Sequence, residues 1–417
     1  MGFEASRVVI VDVDRPLPPL RAEDAAGRWH GRARLLVRWH GRPVGVTDVD
    51  LGGGLGPVAV GAAVWQALGP ELAERIEATT GARPTTLPPN GLPAPEAGPE
   101  LPTASATVAI ATRDRPTALA RCLHAVLALD HPAFDVVVVD NAPSDDRAHA
   151  VVDALRTQRV AVRYVREDQP GLARAHNAAL PHLTGEVVAF TDDDVEVDPL
   201  WLRRLTDGFV DDRVACVTGM IFPAEVETPA QAWIEAHAGF GKGFERQVFD
   251  LDEHRPDDRL FPFTAGRLGS GANMAFRTEV LRELGGFDET LGVGTPARGG
   301  DDLAAFYDVI RAGHRLVYEP AALVLHHHHV DTAAVRRLAY SYGVALSAYL
   351  TRAVVTEPRA LVAMAARLPG GVRHGLKTTQ APDLVVPGLA GAGWRQRLGM
   401  VVGPWSYARS RRAGSRA

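Results

Sequence analysis

The chain has 417 residues, 46% hydrophobic and 23% charged, which reads as a soluble globular protein and leaves room for more than one core-forming unit. A formal net charge of −5 gives no global attraction to nucleic acid, so no nucleic-acid partner is expected. Two cysteines, Cys122 and Cys216, supply neither a disulfide framework nor a zinc spacing, which suits a reducing cytosol.

The N-terminus, "MGFEASRVVIVDVD", has no basic start followed by a long apolar stretch, so no signal peptide is expected. No apolar run reaches the roughly 18 residues of a membrane span. "SRVVIVDVD", "RARLLVRWHGRPVGVTDVDL" and "VAVGAAVWQALGPELAERIEA" predict two or three strands and a helix, with a hairpin turn at "WHGRPVG". This small α+β module, residues 1–80, shows no catalytic constellation and is expected to serve docking or support. Seven prolines follow between 81 and 106, from Pro84 to Pro102, a composition that predicts an extended linker.

Beyond the linker the pattern alternates. "TVAIAT" reads as a strand and "RPTALARCLHAVLAL" as a helix that buries Cys122. "FDVVVVDN" is a near-continuous aliphatic run, as expected for a parallel strand covered on both faces. "DDRAHAVVDALRTQ" (helix), "VAVRYVRE" (strand), "LARAHNAALPHL" (helix) and "GEVVAFTDDD" (strand) continue the series. That order predicts an α/β fold, Rossmann-like, with a mostly parallel sheet flanked by helices and ligands at the carboxyl ends of its strands. Thr112-Arg113-Asp114, Asp140-Asn141 and Asp192-Asp193-Asp194 all fall at those ends.

Three consecutive aspartates repel one another. The run is either a solvated acidic turn or the seat of a cation and polyphosphate. On an extended segment alternate residues point the same way, so Asp192 and Asp194 converge while Asp193 points elsewhere. Their oxygens suit magnesium or manganese. Neither a dinucleotide-binding glycine fingerprint nor a P-loop is present. Asp140, at a strand terminus, can accept from an N–H that only some bases present. Further on, "GGDDL" puts Asp301 and Asp302 at the start of a helix, where its N-terminus favours carboxylates. "LVLHHHHVD" ends an aliphatic strand on four histidines, and helical spacing follows in "AAVRRLAYSYGVALSAYLTRAVV" and "RALVAMAARL". The tail mixes Trp394, Trp405 and Tyr407 with Arg395, Arg397, Arg409, Arg411, Arg412 and Arg416, which suits an anionic membrane surface or a disordered basic tail.

Residues 107–330 resemble a family 2 glycosyltransferase of the GT-A fold. The resemblance is carried by "VAIATRDRPTALARCL", "VVVVDNAPSDD", "EDQPGLARAHNAAL", "AFTDDDVEVDPLWL", "SGANMAFRTEVLRELGGFDETLG" and "GGDDLAAFYDVIRAGHRLVYEPAALVLHHHH" in that order. It implies a metal-dependent, inverting transferase with a nucleotide-sugar donor, a UDP-sugar, and a divalent cation, manganese or magnesium. The acceptor would be a glycan, a lipid-linked or a small molecule. A helical extension, 331–417, would add peripheral contact with the inner face of the membrane to a cytoplasmic enzyme. It places Asp192, Asp194 and His326, with His328 second, at the metal. Thr112, Asp114, Asp140, Asn141, Arg174, Asp192 and Asp193 fall on the donor side. Arg174 and Asn177 would reach the diphosphate or pin the loop. Asp302 becomes the general base and Asp301 its acceptor or metal-shell partner. Arg113-Asp114 stands where the family usually has Tyr-Asn or similar. Two rivals are a nucleotidyltransferase, whose lysine-bearing glycine loop "ATRDRPT" does not provide, and an inactive sugar-binding scaffold on the same fold.

Overall fold

A computed structural model describes residues 3–24, 26–92, 103–156, 159–237, 240–364 and 392–414. Strands β1 (Ser6–Asp12), β2 (Arg32–Trp39) and β3 (Arg42–Asp50) form a small sheet, with β1 parallel to β2 and β2 antiparallel to β3. The β2–β3 hairpin turns through His40 and Gly41, both at positive φ (54° and 66°), the geometry that a tight two-residue turn demands. Helix α1 (Pro57–Thr80) covers the sheet and stops at Gly81, whose left-handed backbone donates its N–H to Glu77.

The proline-rich stretch does not begin as a free spacer. Leu87 and Leu92 are buried in this N-terminal core, and backbone bonds Leu17 N–H to Pro89 and Leu92 N–H to Val13 tie the segment down. The apolar residues scattered among its prolines are the reason. Pro93, Pro95, Pro99 and Pro102, residues 365–368 of the last predicted helical stretch, and Arg416 lie outside the described residues.

The second sheet starts at β4 (Ala106–Thr112), followed by α2 (Pro116–Leu127), β5 (Phe134–Asn141), α3 (Arg147–Leu155), β6 (Val162–Glu167), α4 (Leu172–Ala179) and β7 (Val187–Asp192). Next come β8 (Val195–Val197), α5 (Trp201–Thr206), β9 (Val214–Pro223), α6 (Pro229–His237), β10 (Gln247–Phe249), β11 (Asn273–Arg277) and α7 (Thr278–Glu283). The chain continues with α8 (Asp301–Arg311), β12 (Arg315–His326), α9 (Thr332–Thr356) and α10 (Ala392–Gly414).

Strand order is β10-β12-β9-β11-β7-β4-β5-β6, with β8 paired to β12. Strands β7, β4, β5 and β6 are parallel, whereas β11 enters antiparallel between β7 and β9 and makes the whole sheet mixed. Chain order runs from β4 outward through β5 to β6, then returns to β7 on the other flank. That reversal opens a crevice at the carboxyl ends. Register puts Thr112 beside Asp140 and Ala111 beside Asp192, so the polar clusters are neighbours on one edge.

Asn273 on β11 locks the middle of the sheet: its amide donates to the Met220 and Ala322 carbonyls and accepts from the Trp201 indole. The small N-terminal sheet lies against this one. Leu36 packs with Met220, Phe222 and Leu323, and Arg38 bridges Asp12 at 2.8 Å and Asp198 at 2.5 Å.

Candidate active site

At the end of β7 each aspartate has its own surroundings. Asp193 is fully buried and turns inward, accepting from Thr112 Oγ1 at 2.7 Å and pairing with Arg115 at 2.7 Å. Burial raises its pKa to about 6, with Arg115 pulling the other way. Asp194 pairs with the second Arg115 nitrogen at 2.7 Å and lies 3.5 Å from His326 Nε2. Burial works against its charge, but His326 and Arg115 outweigh it and hold the carboxyl below its usual range. Asp192 has no such cation, and burial, then Asp194 and Asp193, push it well up.

Asp192, Asp194 and His326 each offer a ligand atom, all within 4.8 Å of one another. This set fits a hard divalent ion. Two ligands are carboxylates, Asp194 Oδ1 is buried with no hydrogen-bond donor, and burial lowers His326 to about 4, leaving the neutral imidazole a metal needs. His326 Nδ1 lies 2.9 Å from His328 Nδ1, which orients the ring. His327 takes another course: its nitrogens meet Glu196 at 2.6 Å and Glu225 at 2.8 Å, and these carboxylates overcome burial to raise it to about 9. His329 is exposed. A further triad among the described residues, Asp24, His30 and Glu227, already holds a cation, since Arg28 pairs with Asp24 at 2.8 Å and Glu227 at 2.6 Å.

The residues predicted on the donor side largely hold the crevice walls in this structure. Asp114, at φ 54°, accepts both the N–H and O–H of Ser144 at 2.8 Å and so ties the β4 and β5 loops. Asn141 accepts from Gly171 N–H and donates to the Gln169 carbonyl, both at 2.8 Å. Asn177 pins the loop at Phe287 by accepting its N–H and donating to its carbonyl. Arg174 does not stand free, since it pairs with Glu289 at 2.8 Å. Asp140 is buried, with one oxygen accepting from Tyr164 O–H at 2.9 Å and the other without a donor. Burial raises its pKa.

Opposite the aspartate cluster, Gly299 (φ 149°) and Gly300 (φ 90°) swing the chain into α8. A β-carbon at Gly300 would press on the Ala345 carbonyl 3.0 Å away, so only glycine lets α8 sit this close to α9. Asp302 accepts from Gly271 N–H at 2.9 Å and from Leu303 N–H at 2.8 Å, a backbone cradle at a helix N-terminus. Burial nevertheless raises it. Asp301 faces inward, where burial and then Asp302 lift it to about 7, and its Oδ2 lies 3.6 Å from His176 Nδ1.

Three contributors, Arg115, His176 and Lys242, carry no role in the sequence reading, and a fourth, Tyr342, is placed by it only loosely. Arg115 directly precedes Pro116, the first residue of α2, inside a stretch already rich in charge. His176 sits in the predicted helix "LARAHNAAL", wedged between Phe190 and Phe287. Lys242 donates to the Gly266 carbonyl at 2.7 Å and its charge is felt at Asp302. Its signal was compositional: Lys242 and Lys377 are the lysines of an arginine-rich chain. Tyr342 of α9, half-buried, lies where burial and then Asp302 and Asp192 raise its pKa, in a helix whose tyrosines the sequence marks only as able to face an acceptor.

Residues 107–285 match Glycosyl transferase family 2, and the sheet they build has the GT-A fold. The chain is 30% identical over 244 residues to the pre-mycofactocin glycosyltransferase of Mycobacterium tuberculosis, covering 57% of this chain and 45% of that relative. It is 24% identical over 229 residues to the glucosyl-dolichyl phosphate glucuronosyltransferase of Haloferax volcanii, covering 53% of this chain and 68% of the other. The chain thus spans about half the length of the curated relatives it matches at the higher identity. Among solved structures, the mannosyltransferase PcManGT of Pyrobaculum calidifontis shares the fold at TM-score 0.50 and 18% identity, over 74% of this chain and 90% of the other. No helix among the described residues is long and apolar enough to cross a membrane.

Proposed function

We propose that the protein is an inverting, cation-dependent glycosyltransferase that moves a sugar from a UDP-sugar to an acceptor hydroxyl. One observation carries the reading: the ligand atoms of Asp192, Asp194 and His326 converge at the end of β7, while Asp302 waits at the N-terminus of α8. Glycosyl transfer expels a diphosphate, whose growing charge a bound divalent cation neutralises as a Lewis acid. Asp192, Asp194 and His326 would hold that ion, manganese or magnesium. PcManGT was solved with GDP-Man and Mn2+, which supports a nucleotide-sugar donor and a divalent cation but not the uridine base.

The chain's own groups supply the rest. Arg115 keeps Asp193 and Asp194 compensated and lies beside the place where a diphosphate would arrive. The donor-free oxygen of Asp140 can accept the imide N–H of uracil, which adenine and cytosine lack. Asp302 takes the acceptor's proton as its hydroxyl attacks the anomeric carbon. Its oxygens are already aimed by backbone N–H groups, so no reorganisation is needed at that step. A single displacement of this kind inverts the anomeric configuration.

A panel of UDP- and GDP-sugars with manganese or magnesium tests the reading. Cation-dependent thermal stabilisation by a UDP-sugar is expected, since ligand binding raises stability by mass action. Nucleoside diphosphate release should follow once an acceptor is supplied. A product of retained configuration would sink the mechanism. Stabilisation by GDP-sugars alone would overturn the assigned base.

A further inference from the structure

Helix α10 presents two unlike faces. Its inner face, at Gly399, Gly403, Tyr407 and Ser410, is buried against α9 and the site domain. A β-carbon added at Gly399 or Gly403 would collide with the α9 backbone or with Ser347, and one at Gly343 of α9 with the Gln396 carbonyl. The two helices are therefore in backbone contact, and α10 is seated rather than loosely appended.

On the outer face Trp394, Leu398, Val401 and Trp405 recur at steps of four, three and four residues, which puts them within one narrow arc. They are 56%, 46%, 62% and 66% exposed. Arg395, Arg397, Arg409, Arg411 and Arg412, all exposed, flank this stripe, and α10 contains no acidic residue although the whole chain carries −5. The Arg395 guanidinium lies 5.4 Å from the centre of the Trp394 ring.

We infer that the outer face of α10 docks the protein on an anionic phospholipid surface. Tryptophan at the headgroup boundary, short aliphatics below it and arginines beside phosphates is the arrangement such a surface selects. A second copy of this chain fits poorly. Four side chains of these kinds expose roughly 500 Å², below the ~800 Å² per partner of a stable interface, and a twofold contact would set arginines against arginines. Seated on α9, which abuts the N-terminus of α8 at Gly300, a docked α10 would fix the site domain relative to the bilayer. The inference rests on the surface alone and stands or falls independently of the glycosyltransferase reading.

Flotation of the full chain with phosphatidylcholine vesicles, with and without about one-third phosphatidylglycerol, tests it. Binding should need the anionic lipid and weaken severalfold between 0.1 and 0.5 M salt, as screening of surface charge requires. Trp394→Ser with Trp405→Ser, or Val401→Asp alone, should cut partitioning at least tenfold with little change in circular dichroism and melting temperature, because all three side chains are more than half exposed. Equal flotation by wild type and variants would overturn the proposal. So would wild-type indifference to lipid charge, or a concentration-dependent dimer in sedimentation that Val401→Asp abolishes without any lipid binding.

Discussion

Two acidic groups face the same crevice, and the protein handles them in opposite ways. The Asp192–Asp194 run has a cation brought to it: Arg115 sits on Asp193 and Asp194, and the neutral imidazole of His326 stands beside Asp194. The Asp301–Asp302 pair has no guanidinium. Asp302 leans on backbone N–H groups, and Asp301 is pushed toward its neutral form by enclosure. A carboxylate cluster with a replaceable cation suits an ion and a diphosphate. A carboxylate pair held by backbone suits taking up a proton.

The sharpest way to separate the two is to remove basicity from the second without touching the first. Asp302→Asn keeps the shape and leaves the cation set intact. Turnover should fall ~10²-fold or more, the scale of general base catalysis, with little change in the donor's KM. Near wild-type turnover would move the base elsewhere, with Asp301 first in line. Asp194→Asn should do the reverse. Calorimetry should find UDP binding in manganese weakened at least about tenfold, the scale set by disturbing a metal site, while the melting temperature without metal stays close to wild type. Unchanged affinity would remove Asp194 from the ion.

Arg115→Ala probes the compensation itself. Without the guanidinium, Asp193 and Asp194 repel with nothing between them. Stability without metal should drop about 1–2 kcal/mol, less than for a fully buried pair because Arg115 is 48% exposed. Manganese should then restore more melting temperature in the variant than it adds to wild type. Equal metal-induced shifts in both proteins would show that Arg115 does not stand in for the ion.

Much of this was legible before any coordinates. The strand–helix alternation from "TVAIAT" to "GEVVAFTDDD" became β4 to β7 because parallel strands buried on both faces must be nearly continuous aliphatic runs. His40-Gly41 announced its hairpin by turn chemistry. Side-chain destinations were harder to read. Thr112, Asn141 and Arg174, expected on the donor side, bond Asp193, the Gly171 loop and Glu289, partners that their positions in the sequence do not announce. A strand end shows where a polar residue begins but not which neighbour it reaches. Arg115 and His176 are paired across 79 and 125 residues of chain with Asp194 and Asp301, which no local pattern reveals. The tail offered composition without its partner: its arginines and tryptophans were visible, the glycine seam against α9 was not.

Asp301→Asn has the smallest expected effect on turnover and the clearest signature in stability. Asp301 and His176 are both nearly inaccessible and 3.6 Å apart, a distance at which they can be drawn as an ion pair. The pKa shifts say otherwise. Burial lowers His176 to about 3, and burial with Asp302 raises Asp301 to about 7, so at pH 5 to 6 both are neutral. A raised carboxyl contributes stability that is fully present below its unfolded value of about 4. That contribution is lost as pH rises towards 7. Asparagine has no proton to lose, so the variant should gain on wild type across pH 4.5 to 7.5. The opposing contribution of His176, lost as pH falls below its unfolded value, is common to both proteins and drops out of the difference. Melting curves of the two proteins across that range provide the measurement. If they run parallel, Asp301 ionises as in water. If the variant instead loses ground as pH rises, the dyad is a true ion pair, and enclosure beneath α8 protects a charge rather than removing one.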